Sequence, residues 1–366
     1  MVRHLDRPQQ NDRVEALRIS DWGLRIKRKN LFALQSAIRN PRSAIALLLL
    51  SFFLMAGCQK GVGTIYSIAI HPTRPEVIYL SSEKGLYKTV DGGTLWNRIE
   101  GGLGTFPVLS IAISPALPSI LYVGTFSDGV YRSTDAGRSW LLINAGMRDY
   151  VSVVNAVVID QKNPHILYAG TTMGSYKSVD NGVMWERIST GLNSVFVVCM
   201  AVDPQNPSLV YAGTSGGVYK SSNGGQRWTP SNNGIIERER EHAMALGVNA
   251  FAFDPATPGR LFTATAQGLY ESRDGGERWI DRKIPDPFVL SVAVRPGTQP
   301  SLYAGTNRGL YASRDEKGGW EKLSEQEVRA IALDPNRPEV IYIGTGSGLF
   351  KTEDGGKGWT RFESLQ

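Results

Sequence analysis

The chain has 366 residues, with 40 Lys+Arg against 34 Asp+Glu, 42% hydrophobic residues, 40 Gly, 19 Pro and 2 Cys. Such a composition is globular, neither collagenous nor disordered, and two cysteines exclude a disulfide scaffold. The basic excess lies wholly in residues 1–42, which hold ten Lys/Arg against four Asp/Glu; residues 58–366 are formally neutral, which argues against a nucleic-acid partner.

In chain order, residues 1–57 read first as a basic leader. Ser43 to Gly57 (SAIALLLLSFFLMAG) is an uncharged, mostly apolar run of 15 residues, flanked by Arg39 and Arg42. It is shorter than the roughly 20 residues of a spanning helix and fits the roughly 7–15 of a signal-peptide apolar segment. Its end, Leu54-Met55-Ala56-Gly57-Cys58, resembles the lipobox of bacterial lipoproteins, whose cysteine receives diacylglycerol and becomes the first mature residue. The resemblance implies lipidation at Cys58 and a membrane partner through that lipid. Gln59 stands where an Asp would imply retention at the inner membrane, so the outer membrane is expected if the host is Gram-negative. An uncleaved signal anchor is the alternative. The leader is long against the usual 15–30 residues, and a start near Leu31 would shorten it to 27. Residues 58–63 would form the linker.

Beyond it the tryptophans set a period. Trp96, Trp140, Trp185, Trp228, Trp279, Trp320 and Trp359 follow one another at spacings of 44, 45, 43, 51, 41 and 39. Each closes a box of the form Ser/Thr-x-Asp-x-Gly-x-x-Trp: TVDGGTLW, STDAGRSW, SVDNGVMW, SSNGGQRW, SRDGGERW, SRDEKGGW and TEDGGKGW. The acidic position is Asp91, Asp135, Asp180, Asn223, Asp274, Asp315 and Asp354; Asn223 departs from it, and in the sixth box the glycine slips to Gly318. Gly-Leu/Val-Tyr precedes most boxes, and Tyr-x-Gly-Thr comes earlier still, as in Tyr122–Thr125 and Tyr342–Thr345. Before that lies an apolar strand ending in Asp-Pro or a relative. Each unit is therefore four short strands punctuated by turn residues. Repeated seven times, this is an all-β fold, a seven-bladed β-propeller of four-stranded antiparallel blades over residues 64–363.

The box resembles the Asp box (BNR repeat) of sialidases, sortilin-type receptors, xyloglucan-degrading glycoside hydrolases and the photosystem-II assembly-factor family. The resemblance covers residues 63–363 and implies a fold more than a function, since those families do different things on one scaffold.

A residue copied into nearly every blade serves every blade, so the box Asp is read as a turn acceptor and the Trp as packing between strands or blades. In each first strand, counting back from the Pro (Gln161 in the third unit), the seventh position is Ile or Val: Ile65, Val108, Val154, Val197, Val248, Val289, Val328. The fifth is small, Cys199 included, as expected of innermost strands crowded round an axis. The sixth varies: Tyr66, Leu109, Asn155, Val198, Asn249, Leu290, Arg329. Variation within a fixed frame marks where individual function is written. With the loops feeding those strands, it gives a ligand site at one mouth of the ring: Tyr66, Asn155, Asn249 and Arg329 as polar contacts, Tyr150, Phe196 and Phe288 as aromatic ones. The alternative is that these side chains only plug the channel mouth or sit solvated. The longest spacing holds Ile236–His242, a solvated turn or a loop over one face.

The first blade, Gly63 to Pro72, lacks the Arg-Ile-Pro motif that a sialidase requires, and the chain has residues for one propeller where xyloglucan hydrolases carry two. His71, His165 and His242 are isolated, so no metal and no cofactor is expected. The leading reading is an envelope-anchored, monomeric, non-enzymatic module that binds a protein, peptide or glycan on one face. A carbohydrate-active hydrolase with its site at the axis is the rival, and a photosystem-II-type assembly factor is the third reading if the host is phototrophic. C58S is expected to abolish lipidation and shift the protein out of the detergent phase; a mature protein whose intact mass retains residues 1–57 contradicts the leader assignment.

Overall fold

The structure, a computed structural model, describes residues 62–147, 153–235, 247–295, 302–313 and 319–362, all within one compact unit, Lys60–Gln366. The sites expected at Cys58, Tyr150 and Asp315 lie outside the described residues. Among the described residues, 28 strands form seven four-stranded antiparallel sheets, each built from four consecutive strands. In the first blade these are β1 (Ile65–Ile70), β2 (Ile78–Ser82), β3 (Gly85–Thr89) and β4 (Asn97–Ile99). The innermost strands of the other blades are Val108–Ile113, Val154–Ile159, Val197–Val202, Val248–Phe253, Val289–Val294 and Ala330–Leu333. Each contacts the innermost strands on either side, and β1 contacts that of the seventh blade. The ring closes by a complete first blade meeting a complete last one, with no strand exchanged.

The core lies between blades. Each of the seven hydrophobic clusters draws on two adjacent blades, and the second strand of every blade is buried along its whole length. The repeated Ile/Val at the head of each first strand is fully buried in all seven blades. It packs on the glycine of the preceding blade's Tyr-x-Gly-Thr strand. A Cβ placed on Gly124, Gly170, Gly213, Gly305 or Gly344 would stand 2.5–2.9 Å from a branch methyl of Val154, Val197, Val248, Val328 or Ile65 respectively. Ser81 and Ala264 hold the corresponding place in the first and fifth blades.

Each of the six described boxes forms the turn between the third and fourth strands. In the six described boxes the Ser/Thr hydroxyl donates to the Asp or Asn side-chain oxygen at 2.6–2.8 Å. The same hydroxyl accepts the glycine N–H at 2.7–3.1 Å. The residue before the tryptophan donates its N–H to the Asp or Asn oxygen at 2.9–3.0 Å. The Thr89 hydroxyl, then the Leu95 N–H, hold the Asp91 carboxyl below the usual carboxylate range. Asn223 makes the same bonds without charge, so the turn needs an acceptor and not an ion.

The residue after the box Asp is left-handed: Gly92, Gly224, Gly275 and Gly355 have φ of 65–75°, but Ala136 and Asn181 sit there at 59° and 62°. Its carbonyl ties blades together. Tyr79 Oη and Lys88 Nζ donate to Ala136 O at 3.1 and 2.8 Å, and Tyr168, Tyr211 and Tyr342 reach Gly224, Gly275 and Gly92 in the same way. The indole N–H groups of Trp185, Trp228, Trp279, Trp320 and Trp359 donate to carbonyls of the preceding blade at 2.5–3.0 Å.

A second set of turns, between first and second strands, uses a buried acceptor in the same manner. Asp160, Asp203 and Asp334 each accept two backbone N–H groups at 2.8–3.0 Å. In the first blade His71 does this work: its Nδ1 accepts from the N–H groups of Thr73 and Arg74 at 3.3 and 3.2 Å.

Two predictions follow from these turns. A left-handed alanine costs about 1–2 kcal/mol, part of which glycine returns as chain entropy in the unfolded state. A136G is therefore expected to raise stability by about 0.5–1 kcal/mol in denaturant unfolding; an unchanged or lower midpoint contradicts the strain. Burial, then the Arg74 charge, depress the His71 pKa against the opposing pull of Glu76, with Lys88 adding least. The folded state thus holds His71 neutral while the unfolded chain takes up a proton below about pH 6.5, so this stability is present above that pH and lost as the pH falls. H71N, which keeps an acceptor, is expected to flatten the loss of stability between about pH 7 and 5; equal slopes contradict it.

Candidate functional site

The seven variable positions lie at one mouth of the ring, and the backbone shows why they vary. In the first six blades the pairing of first and second strands skips a register position between the repeated Ile/Val and the small residue, for example between Ile65 and Ser67 or Val248 and Ala250. The skipped residues, Tyr66, Leu109, Asn155, Val198, Asn249 and Leu290, are bulges, and a bulge re-aims its side chain away from the ladder. In the seventh blade Arg329 precedes the innermost strand, its N–H donating to Gly344 O at 2.9 Å. All seven side chains are half-buried.

A bulge also frees the carbonyl of the Ile/Val before it, and the neighbouring blade supplies the donor. Asn155 Nδ2 donates to Val197 O at 2.8 Å, and Asn249 Nδ2 to Val289 O at 2.7 Å. The Cys199 thiol, whose pKa burial pushes up, lies 3.6 Å from Val248 O, and at the seventh blade, where no bulge occurs, Ser291 Oγ donates to Val328 O at 3.2 Å. The two asparagines thus bridge blades through their amide nitrogens, leaving the Oδ1 atoms as the groups they can offer a ligand.

One cluster of charge at the mouth lies at the seam between the seventh and first blades. No innermost strand carries a charged residue. Arg329 pairs with Glu327 (Nη2 to Oε1, 2.7 Å), and both are partly exposed. Tyr66 feels the charges of both Glu83 and Arg329: burial, then the Glu83 charge, push its phenol pKa up against the opposing pull of Arg329, so the hydroxyl stays protonated and able to donate. Glu83 is set by strand pairing. Ile65 opposes Ser82, so the hairpin tip beyond Ser82 meets the segment before Ile65, and the Thr64 N–H points at Glu83 Oε2 at 3.4 Å. The seam therefore offers a phenol, a guanidinium and two carboxylates, a set suited to hydrogen-bonding a polar chain.

The expected aromatic contacts divide. The Phe196 and Phe288 carbonyls accept the N–H groups of Ser215 and Asn307 at 3.3 Å, which holds both loops on the same mouth. Phe288 is 41% exposed and Phe196 half-buried. Behind Phe288 the buried Asp286 carboxylate accepts the Thr306 hydroxyl at 2.9 Å. Glu83 and Glu327 were not among the contacts expected from the strand positions, Glu327 lying in one of the loops that feed those strands. Glu83 sits on a hairpin tip where charge is ordinary, and only the Ile65–Ser82 register brings it to Tyr66. Among the described residues no group of three His, Cys, Asp or Glu could hold a metal, and no helix is long and apolar enough to cross a membrane.

No protein-family model matches the chain. It is similar to a xyloglucanase of Hypocrea jecorina, 32% identical over 81 residues, or 21% of this chain and 10% of that protein. A probable oligoxyloglucan-reducing end-specific xyloglucanase of Neosartorya fischeri is 28% identical over 141 residues, 33% of this chain and 17% of that one. The chain spans less than a fifth of the length of these two curated relatives. Among solved structures it resembles the GH74 xyloglucanase of Xanthomonas campestris, with a TM-score of 0.66 and 18% identity over 82% of this chain and 54% of that one. It also resembles YCF48 of Cyanidioschyzon merolae, with a TM-score of 0.59 and 17% identity over 80% of this chain and 96% of that one. A structure of YCF48 bound to D1 peptide gives a TM-score of 0.57 and 18% identity, over 80% and 94%. At these identities the shared property is the fold: this chain is a seven-bladed propeller of the kind that both the GH74 enzymes and YCF48 contain.

Proposed function

We propose that the chain is an Asp-box propeller of the cell envelope, anchored through a lipid on Cys58, that captures an extended polar chain at the mouth formed by the bulges. The observation that carries this reading is the mouth itself. Seven half-buried side chains, six of them on bulges, surround the axis; among them Arg329 pairs with Glu327, and the charges of Arg329 and Glu83 both act on Tyr66. Phe288 offers an exposed aromatic face on the same rim, of the kind that peptides and sugars both stack on. The likeness to YCF48 over nearly its whole length, and its structure with a peptide, support a peptide as the occupant. In a phototrophic host the same mouth would serve an assembly factor.

A hydrolase is the second reading. The xyloglucanase similarity favours it, and a glycosidase needs two carboxyls flanking the scissile bond, a role open to Glu83 and Glu327. Release of oligosaccharides from xyloglucan by the wild type, lost in E327Q, would establish that reading in place of capture.

For capture, the wild type and two variants are compared on immobilised peptide and glycan arrays. R329A is expected to lose at least tenfold in affinity for the captured species while its melting temperature moves by no more than a few degrees. N155A removes the donor to a buried carbonyl and is expected to cost about 1–3 kcal/mol of stability. R329A binding as the wild type does, to every captured species, contradicts the assignment of the mouth.

A further inference from the structure

The seams between blades repeat one arrangement, and one seam reverses its charge. On the third strand, Lys88, Lys177, Lys220 and Lys351 hold equivalent places, and Lys88, Lys177 and Lys351 lie 5.1–5.6 Å from the ring centres of Tyr79, Tyr168 and Tyr342. The next blade's box turns toward this lysine. Between the fourth and fifth blades the residue after the second box glycine is Glu277, and its Oε1 meets Lys220 Nζ at 2.6 Å. Between the first and second blades the same position is Arg138, facing Lys88.

That seam opens into a groove of about 330 Å³ lined by Lys88, Arg98, Arg138, Glu100, Val90 and Ile99, among others. Lys88 is half-buried and spends one N–H on the neutral carbonyl of Ala136 at 2.8 Å. Burial, then the charges of Arg138 and Arg74, depress its pKa; Asp135 opposes them weakly, its Oδ1 and Oδ2 being held by Ser133 and Ser139. Among the described residues no carboxylate stands within ion-pair distance of Lys88, Arg98 or Arg138. Glu100 is the single acid on the lining against three cations. The seam also lacks the indole bond that five of the seams make, because Trp140 Nε1 turns to its own Gly137 O at 3.2 Å.

A half-buried cation facing a second cation across a cavity is held apart from its natural partner, which an anion in the groove would supply. A guanidinium pair and an ammonium suit an oxyanion, and the side chains of Val90 and Ile99 give the apolar wall that a sugar ring's C–H face packs against. We propose that the groove between the first and second blades binds an acidic sugar residue through its carboxylate or sulfate, at a site separate from the mouth.

The test is calorimetric titration of the whole protein with digalacturonate and with inorganic sulfate at low ionic strength. The key variant is R138E, which installs at this seam the pair that Lys220 and Glu277 make at another. The wild type is expected to bind digalacturonate saturably, with affinity falling as salt rises from about 20 to 200 mM. R138E is expected to bind at least tenfold more weakly at an unchanged or higher melting temperature. K357E, the same charge change on the seventh blade's box, is expected to bind as the wild type does. Equal binding by wild type and R138E, equal losses in R138E and K357E, or no saturable binding by the wild type overturns the site. Binding of sulfate alone overturns the sugar.

Discussion

The ring depends on a contact in which one residue has no side chain. At each seam a fully buried Ile or Val from the head of one blade's innermost strand lies on the second strand of the blade before it, and five of those seven strands present glycine at the point of contact. These glycines are extended, with no unusual φ, so what they supply is space. Fully burying such a branched side chain contributes roughly 1.5–3 kcal/mol, and the seven contacts set the distance between neighbouring blades. The same contact closes the ring, since Ile65 from the first blade docks on Gly344 of the last. Closure by packing alone explains how a blade from each chain end can be complete.

Hydrogen bonds then fix each blade's tilt, and their irregularities are informative. In the fifth blade Phe262 and Glu271 stand where, in the first and third blades, a tyrosine and a lysine both donate to the next box. Glu271 is buried, and Arg260, Arg273 and Arg282 meet it at 2.7–2.9 Å, with Arg260 also on Asp254 at 3.1 Å. A carboxylate so buried requires those partners. In the sequence the next box is the sixth, the one whose glycine slips to Gly318. At the closing seam the buried Trp96 indole N–H has no acceptor among the described residues and its ring stands edge-on to Phe362, 6.2 Å between centres, so that seam rests more heavily on Ile65.

The fold was legible because it repeats. Seven boxes in register specify the strand count, and the Pro, Gly and Asp punctuation places the turns. The glycine contact was partly legible: Tyr-x-Gly-Thr stands out as a motif, and small residues in the first strands point to crowding, but which Val meets which Gly depends on the adjacent blade. The mouth was legible as variability at Tyr66, Asn155, Asn249 and Arg329. Its chemistry was less so, for a physical reason. The amides of Asn155 and Asn249 bind carbonyls about 40 residues away that only a bulge exposes, and bulges leave no mark in composition. Glu83 reaches Tyr66 through strand register, and Arg138 gains meaning only beside Glu277. Such relations belong to pairs of blades and are invisible along a single one.

The most direct measurement is a double-mutant cycle at the closing seam, using G344V and I65A in equilibrium denaturation. If space at the glycine sets the distance between blades, G344V alone loses several kcal/mol or the single cooperative transition, and I65A alone loses the burial of its side chain. The pair together should then recover stability over G344V, with a coupling energy above about 1 kcal/mol. Additive losses, or a G344V protein that unfolds at the wild-type midpoint, would contradict the account.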